Sequence, residues 1–161
     1  MTTSSDLDQI REFTERGVVI LRQTLKDDQL NGLSECFDLA GQLTARLHYV
    51  EGLLQGEAQY FSLGQMVRSC FYDAGLLHGE ALDYSLSGAL IQRSNYLSGL
   101  LHGVTERYWT NGSVMERQEF EQGRPIGPAQ AFDSEGQPIR DQNKEKAEKS
   151  GLLQRLFTGD A

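Results

Sequence analysis

The side chains best suited to chemistry are three histidines and two cysteines. His78 and His102 hold the same slot in two consecutive stretches of chain and would stack along one edge of an array. A metal site would need further ligands, and the equivalent slots hold Asn31, Gln55 and Ile126, which cannot all bind a metal. His48 has no carboxylate or nucleophile beside it in sequence. Cys36 and Cys70 sit at different strand positions of different units, so neither a disulfide framework nor a zinc site is expected and both are read as reduced thiols. No nucleophile elbow, phosphate-binding loop or zinc-protease motif occurs. The sequence therefore predicts no catalytic residue, no metal and no cofactor, and a protein that is not an enzyme.

The elements that carry these residues form a repeat. From Gly79 to His102 and from Gly103 to Ile126 the same order recurs: an opening Gly, an aromatic five places on, a turn Gly, an apolar residue, and a closing aromatic three before another Gly. The turn glycines are Gly17, Gly41, Gly64, Gly88, Gly112 and Gly136, with one step a residue short, which gives about six units with a period of about 24 residues. Phe13, Phe37, Phe61, Tyr84, Tyr108 and Phe132 precede those glycines. Tyr49, Tyr72, Tyr96 and Phe120 close units, with Leu25 and Asp28 in the corresponding slots of a degenerate first copy.

Alternating apolar positions between turn residues point to β-hairpins. Ser87-Gly88, Asn111-Gly112 and Glu135-Gly136 read as two-residue tips, with Asn-Gly the strongest signal, because such turns need positive φ. The Y-x-x-G step supplies the second reversal, laying each unit beside the last. The expected fold is all-β in the main: an elongated, twisted antiparallel sheet of tandem hairpins over residues 1–140. A charged linker and a short amphipathic helix over 141–161 follow, the helix carried by Leu152, Leu153, Leu156 and Phe157. Asp6 to Arg16 reads either as a cap helix, from Leu7, Ile10 and Phe13 at helical spacing, or as part of the first hairpin.

Parity along the strands separates two faces. Phe37, Leu43, Leu47, Tyr49, Met66, Cys70, Tyr72, Leu82, Tyr84, Leu90, Tyr96, Tyr108, Val114 and Phe120 form the expected structural ladder. The opposite face collects Arg46, His48, Val67, Phe71, Asp83, Ile91, Arg93, Trp109, Met115, Arg117 and Glu119, large apolar groups mixed with both charges, as an interaction surface would be. The plainer alternative is that these side chains only cover the second face.

The chain has 161 residues and a formal net charge of -8, which disfavours phosphate backbones and anionic lipid and favours a basic partner. No apolar run is long enough to span a bilayer, and the polar, acidic start from Met1 to Ile10 is unlike a signal peptide, so the expected location is cytoplasmic.

The pattern G-x4-aromatic-x3-G followed by Y-x-x-G-L-L-H-G resembles the MORN-repeat variant of the bacterial YwqK-like antitoxin family. The resemblance is clearest from Gly75 to Gly127 and spans about four-fifths of the chain with degenerate copies included. Asp28 in place of a unit Gly, and Pro125 and Ile126 in place of Leu-His, depart from it. The resemblance implies a cytoplasmic immunity protein that binds and blocks a bacterial toxin, a secreted nuclease with a basic cleft being the class that suits the charge. Candidate contacts are Phe71, Trp109 and Met115 as apolar anchors, Asp83, Glu106, Glu116 and Glu119 as acids, and Arg93 and Arg117 among them. The alternatives are a membrane-surface or protein scaffold of MORN-type repeats, and a small enzyme built around His78 and His102. A homodimer through bare sheet edges is also open.

Overall fold

A computed structural model describes residues 8–139. They form one open antiparallel sheet of 13 strands with no helix among the described residues. The strands are β1 (Gln9–Glu15), β2 (Val18–Lys26), β3 (Gln29–Phe37), β4 (Leu43–Val50), β5 (Leu53–Leu54), β6 (Gly56–Ser62) and β7 (Gln65–Asp73). They continue as β8 (Leu76–Tyr84), β9 (Leu90–Leu97), β10 (Leu100–Leu101), β11 (Gly103–Tyr108), β12 (Val114–Glu121) and β13 (Arg124–Ala131). Each strand pairs with its neighbour in sequence, and the two-residue β5 and β10 add to β4 and β9. The hairpin array expected from the repeat is therefore present. The alternative of an N-terminal cap helix is not: Gln9–Glu15 is a strand paired with β2. The helix expected within 141–161 lies outside the described residues.

The reversals fall at the glycines, by two different constructions. At Arg16-Gly17 and Leu63-Gly64 both residues have positive φ, the two-residue hairpin turn. Between units the same turn occurs at Glu51-Gly52, Ala74-Gly75, Ser98-Gly99 and Gln122-Gly123, with Asp27-Asp28 in the first. The tips at Gly88, Gly112 and Gly136 correct the expectation of two-residue turns, because Ser87, Asn111 and Glu135 are not at positive φ. There, and at Gly41, a longer loop forms in which the Gly N–H donates to the carbonyl three residues back, as from Gly112 to Trp109 at 2.9 Å. Polar side chains stabilise these loops. Asp38 Oδ1 accepts the amides of Ala40 and Gln42, and Asp133 Oδ1 those of Glu135 and Gln137.

Beside the tips the register shifts, between Cys36 and Phe37, Tyr60 and Phe61, Asp83 and Tyr84, and Arg107 and Tyr108. Each shift is a bulge that leaves one extra residue on the returning strand and reverses parity beyond it. The two faces expected from unbroken alternation are accordingly re-sorted. Leu47, Tyr49, Cys70, Tyr72, Tyr96 and Phe120 share one face, called here the core face. Phe37, Leu43, Met66, Leu82, Tyr84, Leu90, Tyr108 and Val114 belong to the other, as their cross-strand partners show. Phe13 departs from the other tip aromatics: it pairs with Leu21 and so lies on the core face.

The core of this single-layer sheet is built from small residues. Ala58, Cys70 and Ala81 pair across three adjacent strands, each with 1% of its surface exposed, and Ser94 continues the row. Leu47, Tyr60, Tyr72, Leu77 and Tyr96 pack against them. Large side chains fold over a small-residue row, and so bury apolar surface without a second layer.

Candidate protein-interaction surface

The face opposite the core carries one continuous cross-strand row: Glu12, Arg22, Glu35, Arg46, Gln59, Ser69, Leu82, Arg93, Glu106, Arg117 and Gln130. Directly opposed residues on neighbouring strands touch, so alternating charge becomes ion pairs. Arg22 binds Glu12 at 2.8 Å and Glu35 at 3.4 Å, and Glu35 also holds Arg46 at 3.3 Å. Arg117 binds Glu106 at 2.7 Å, while Arg93 turns to Glu80 at 3.1 Å. Arg22 also lies over the Phe37 ring.

The candidate contact residues separate across the two faces. Phe71, Arg93, Glu106, Arg117 and Glu119 lie on the charged-row face, and the first pairs across to Glu57. Asp83 and Glu116 lie on the core face, opposite Arg68 and Arg107. Met115 is the extra residue of a bulge and, with Asp83, lines a hollow of about 340 Å³ together with Val67 and Ile91. Trp109 begins a tip loop, and its indole N–H donates to the Phe132 carbonyl at 3.1 Å, tying the last two hairpins together. Arg68 donates to Asp83 at 2.9 Å beside the buried Cys70, whose thiol is pushed up by burial. Glu106 accepts the Tyr108 hydroxyl at 2.6 Å. That bond comes first in holding its carboxyl below the usual range, and burial raises the Tyr108 hydroxyl to about 12.

The feature that alternation alone missed is the rim of the turns between units. Leu53, Leu76 and Leu100, the first Leu of each G-L-L, hold equivalent places and are each 51% exposed. Hairpins repeat every two strands, so these leucines stand about 10 Å apart. A Cδ2 of each lies 3.6 Å from where a Cβ would stand on the next turn glycine, Gly75, Gly99 or Gly123. Exposed Val50 and Leu97 pair directly with Leu53 and Leu100. The turns and strand ends of the same rim bring Asp27, Asp28, Glu51, Asp73 and Glu121, together with the cations Lys26 and Arg124, the latter in the place of the leucines after Gly123, so acid outnumbers base there. The signal for it in the sequence was the repeated G-L-L itself.

His78 and His102 are both exposed in their successive units. Among the described residues no three His, Cys, Asp or Glu side chains gather where they could hold a metal ion, and no helix is long and apolar enough to cross a membrane.

Comparison with known proteins finds no match among curated proteins. Among solved structures, a crystal structure of TarM aligns with a TM-score of 0.42 at 12% identity, covering 73% of this chain and 20% of that one. The chain thus spans about one fifth of TarM's length. The family described as MORN repeat variant matches residues 101–122, which comprise the end of β10, the whole of β11 and β12, and the start of the next turn. That match, on one of several hairpins built alike, supports the MORN-repeat family for the array, and MORN repeats suggest a repeat-built scaffold for protein interaction.

Proposed function

We propose that the chain is a binding protein that neutralises a basic protein partner, and that this partner is a bacterial toxin for which it serves as the immunity protein. The rim carries this reading: three equivalent half-exposed leucines, Leu53, Leu76 and Leu100, run beside Asp27, Asp28, Glu51, Asp73 and Glu121. A row of apolar anchors edged by carboxylates suits a partner with a cationic, partly apolar surface. The acid steers encounter and the leucines supply desolvated contact. The described residues hold ten Lys and Arg against eighteen Asp and Glu, so the field that attracts such a partner belongs to the array. A nuclease with a basic cleft is the target class this charge suits, because occupying the cleft excludes the nucleic acid. In this reading the protein acts in the cytoplasm, uses no cofactor and catalyses nothing.

The test is co-expression with the product of the adjacent gene, scoring growth and recovery of a complex. Rescue with a complex is expected, and Leu76→Asp combined with Leu100→Asp should weaken that complex at least tenfold while the sheet stays folded. A harmless neighbour and no co-purifying protein would overturn the reading. Pelleting with anionic vesicles would favour the membrane-surface scaffold instead.

A further inference from the structure

The two ends of the sheet are not equivalent. At one end β13 contains Pro125 and Pro128, and the chain then folds back through the bridge between Phe132 and Pro138. Prolines lack the N–H a further strand would need, and their rings obstruct its approach, so this end is blunted. At the other end β1 has neither Pro nor Gly, all seven of its residues are exposed, and β2 is the one strand paired with it among the described residues. Phe13 is 43% exposed there and Ile10 70%.

We infer that β1 pairs with β1 of a second copy of this chain, antiparallel about a two-fold axis through Phe13, to form a continuous sheet across a homodimer. In such pairing the axis stands perpendicular to the sheet, so every residue opposes one of its own parity and the register must centre on a residue. Five registers can be compared by charge. Centring on Arg11 or Glu12 sets that charge against itself, and centring on Ile10 sets Asp8 against Glu12. Centring on Thr14 sets Glu12, already bound to Arg22, against Arg16 of the turn, but puts Phe13 against Glu15 and runs Arg11 onto the turn glycine Gly17. Centring on Phe13 keeps its charge pairs within the strand: Phe13 meets Phe13, Arg11 meets Glu15 twice by symmetry, and Glu12 meets Thr14, while Ile10 and Gln9 run out against the turn residues Arg16 and Gly17. Phe13 and Arg11 lie on the core face, where Phe13 already pairs with Leu21, so the new aromatic contact extends the apolar row of each copy. Glu15 makes no ion pair within the described residues of its own chain, whereas Arg11 reaches Asp28 at 3.1 Å with its side chain still 49% exposed.

Sedimentation equilibrium of the full chain over a hundredfold dilution tests this. The wild type is expected to reach twice its 18.0 kDa chain mass at the concentrated end. Glu15→Arg, which disturbs no ion pair among the described residues, should shift the monomer–dimer midpoint at least tenfold toward monomer, and Arg11→Glu should do the same. The reciprocal double variant, Arg11→Glu with Glu15→Arg, should recover the wild-type midpoint to within threefold, because the pairs re-form with their signs exchanged. Circular dichroism confirms that each variant is folded. A wild type that stays monomeric, as it would if other parts of the chain covered β1, overturns the proposal. So does a dimer indifferent to Glu15→Arg, or a folded double variant that remains monomeric.

Discussion

Arg117 Nη2 lies 2.7 Å from Glu106 Oε1 on adjacent strands of the charged row. Both residues suit contact with a partner when read from sequence, yet in the fold each satisfies the other. The Tyr108 hydroxyl, with Arg117 behind it, keeps the Glu106 carboxyl below its usual range. A carboxyl whose folded value is depressed contributes stability that is complete above its unfolded value, and this is lost as pH falls through the folded one. Arg117 is 47% exposed, so water screens the pair and its worth is under about 1 kcal/mol. Glu106→Gln should therefore unfold at lower urea than the wild type at pH 7, and the two midpoints should draw together as pH falls below the ordinary carboxylate range. A gap that stays constant with pH would rule out the charge as its source.

The repeat and the hairpin order from β2 onward were legible in the sequence, because turn glycines and closing aromatics recur in register from Gly17 to Gly136, whereas Gln9–Glu15 read equally as a cap helix because Leu7, Ile10 and Phe13 also fit helical spacing. The faces were not legible. Alternation holds only while a ladder is regular, and the bulges before Phe37, Phe61, Tyr84 and Tyr108 move those aromatics away from Tyr49, Tyr72 and Tyr96. The bulge positions depend on how each tip closes, and Asn111-Gly112 shows the difficulty: the pair that most strongly suggests a two-residue turn closes a longer loop.

Leu76 passes over Gly99 of the next turn, with its Cδ2 3.6 Å from where a Cβ would stand. That is ordinary contact distance, so adding a methyl group meets little steric resistance there. The penalty comes from φ, which is +83°. Gly99→Ala should cost about 1–2 kcal/mol for placing an L-residue in the left-handed region, and Gly99→Asn distinctly less, since a short polar side chain tolerates it. Chemical denaturation of both variants checks the ordering.

Leu63 presents the reverse case. It holds φ at 50° in the two-residue tip before Gly64 while 78% exposed, so its side chain gains little from burial to offset the strain. Leu63→Asn should raise stability by about 1 kcal/mol, seen as a higher thermal midpoint. An unchanged or lower midpoint would mean that the leucine makes contacts outweighing its backbone strain.

Ala81 and Cys70 test the small-residue core directly. They face each other across β7 and β8 with 1% exposure each, under the rings of Tyr60, Tyr72 and Tyr96. A single-layer sheet buries these positions only because the large neighbours can fold over them. Ala81→Leu must therefore push those rings outward, at a cost of about 1–3 kcal/mol, although leucine is the more hydrophobic residue. Burial also raises the Cys70 thiol, and Cys36, on the same face but only half-buried, is raised for the same reason. An aromatic disulfide reagent should consequently label Cys36 first in the folded protein and reach Cys70 only as the sheet opens. Ala81→Leu should accelerate the second reaction more than the first. If both thiols react together in the wild type, the rings do not seal the row, and the account of this core fails.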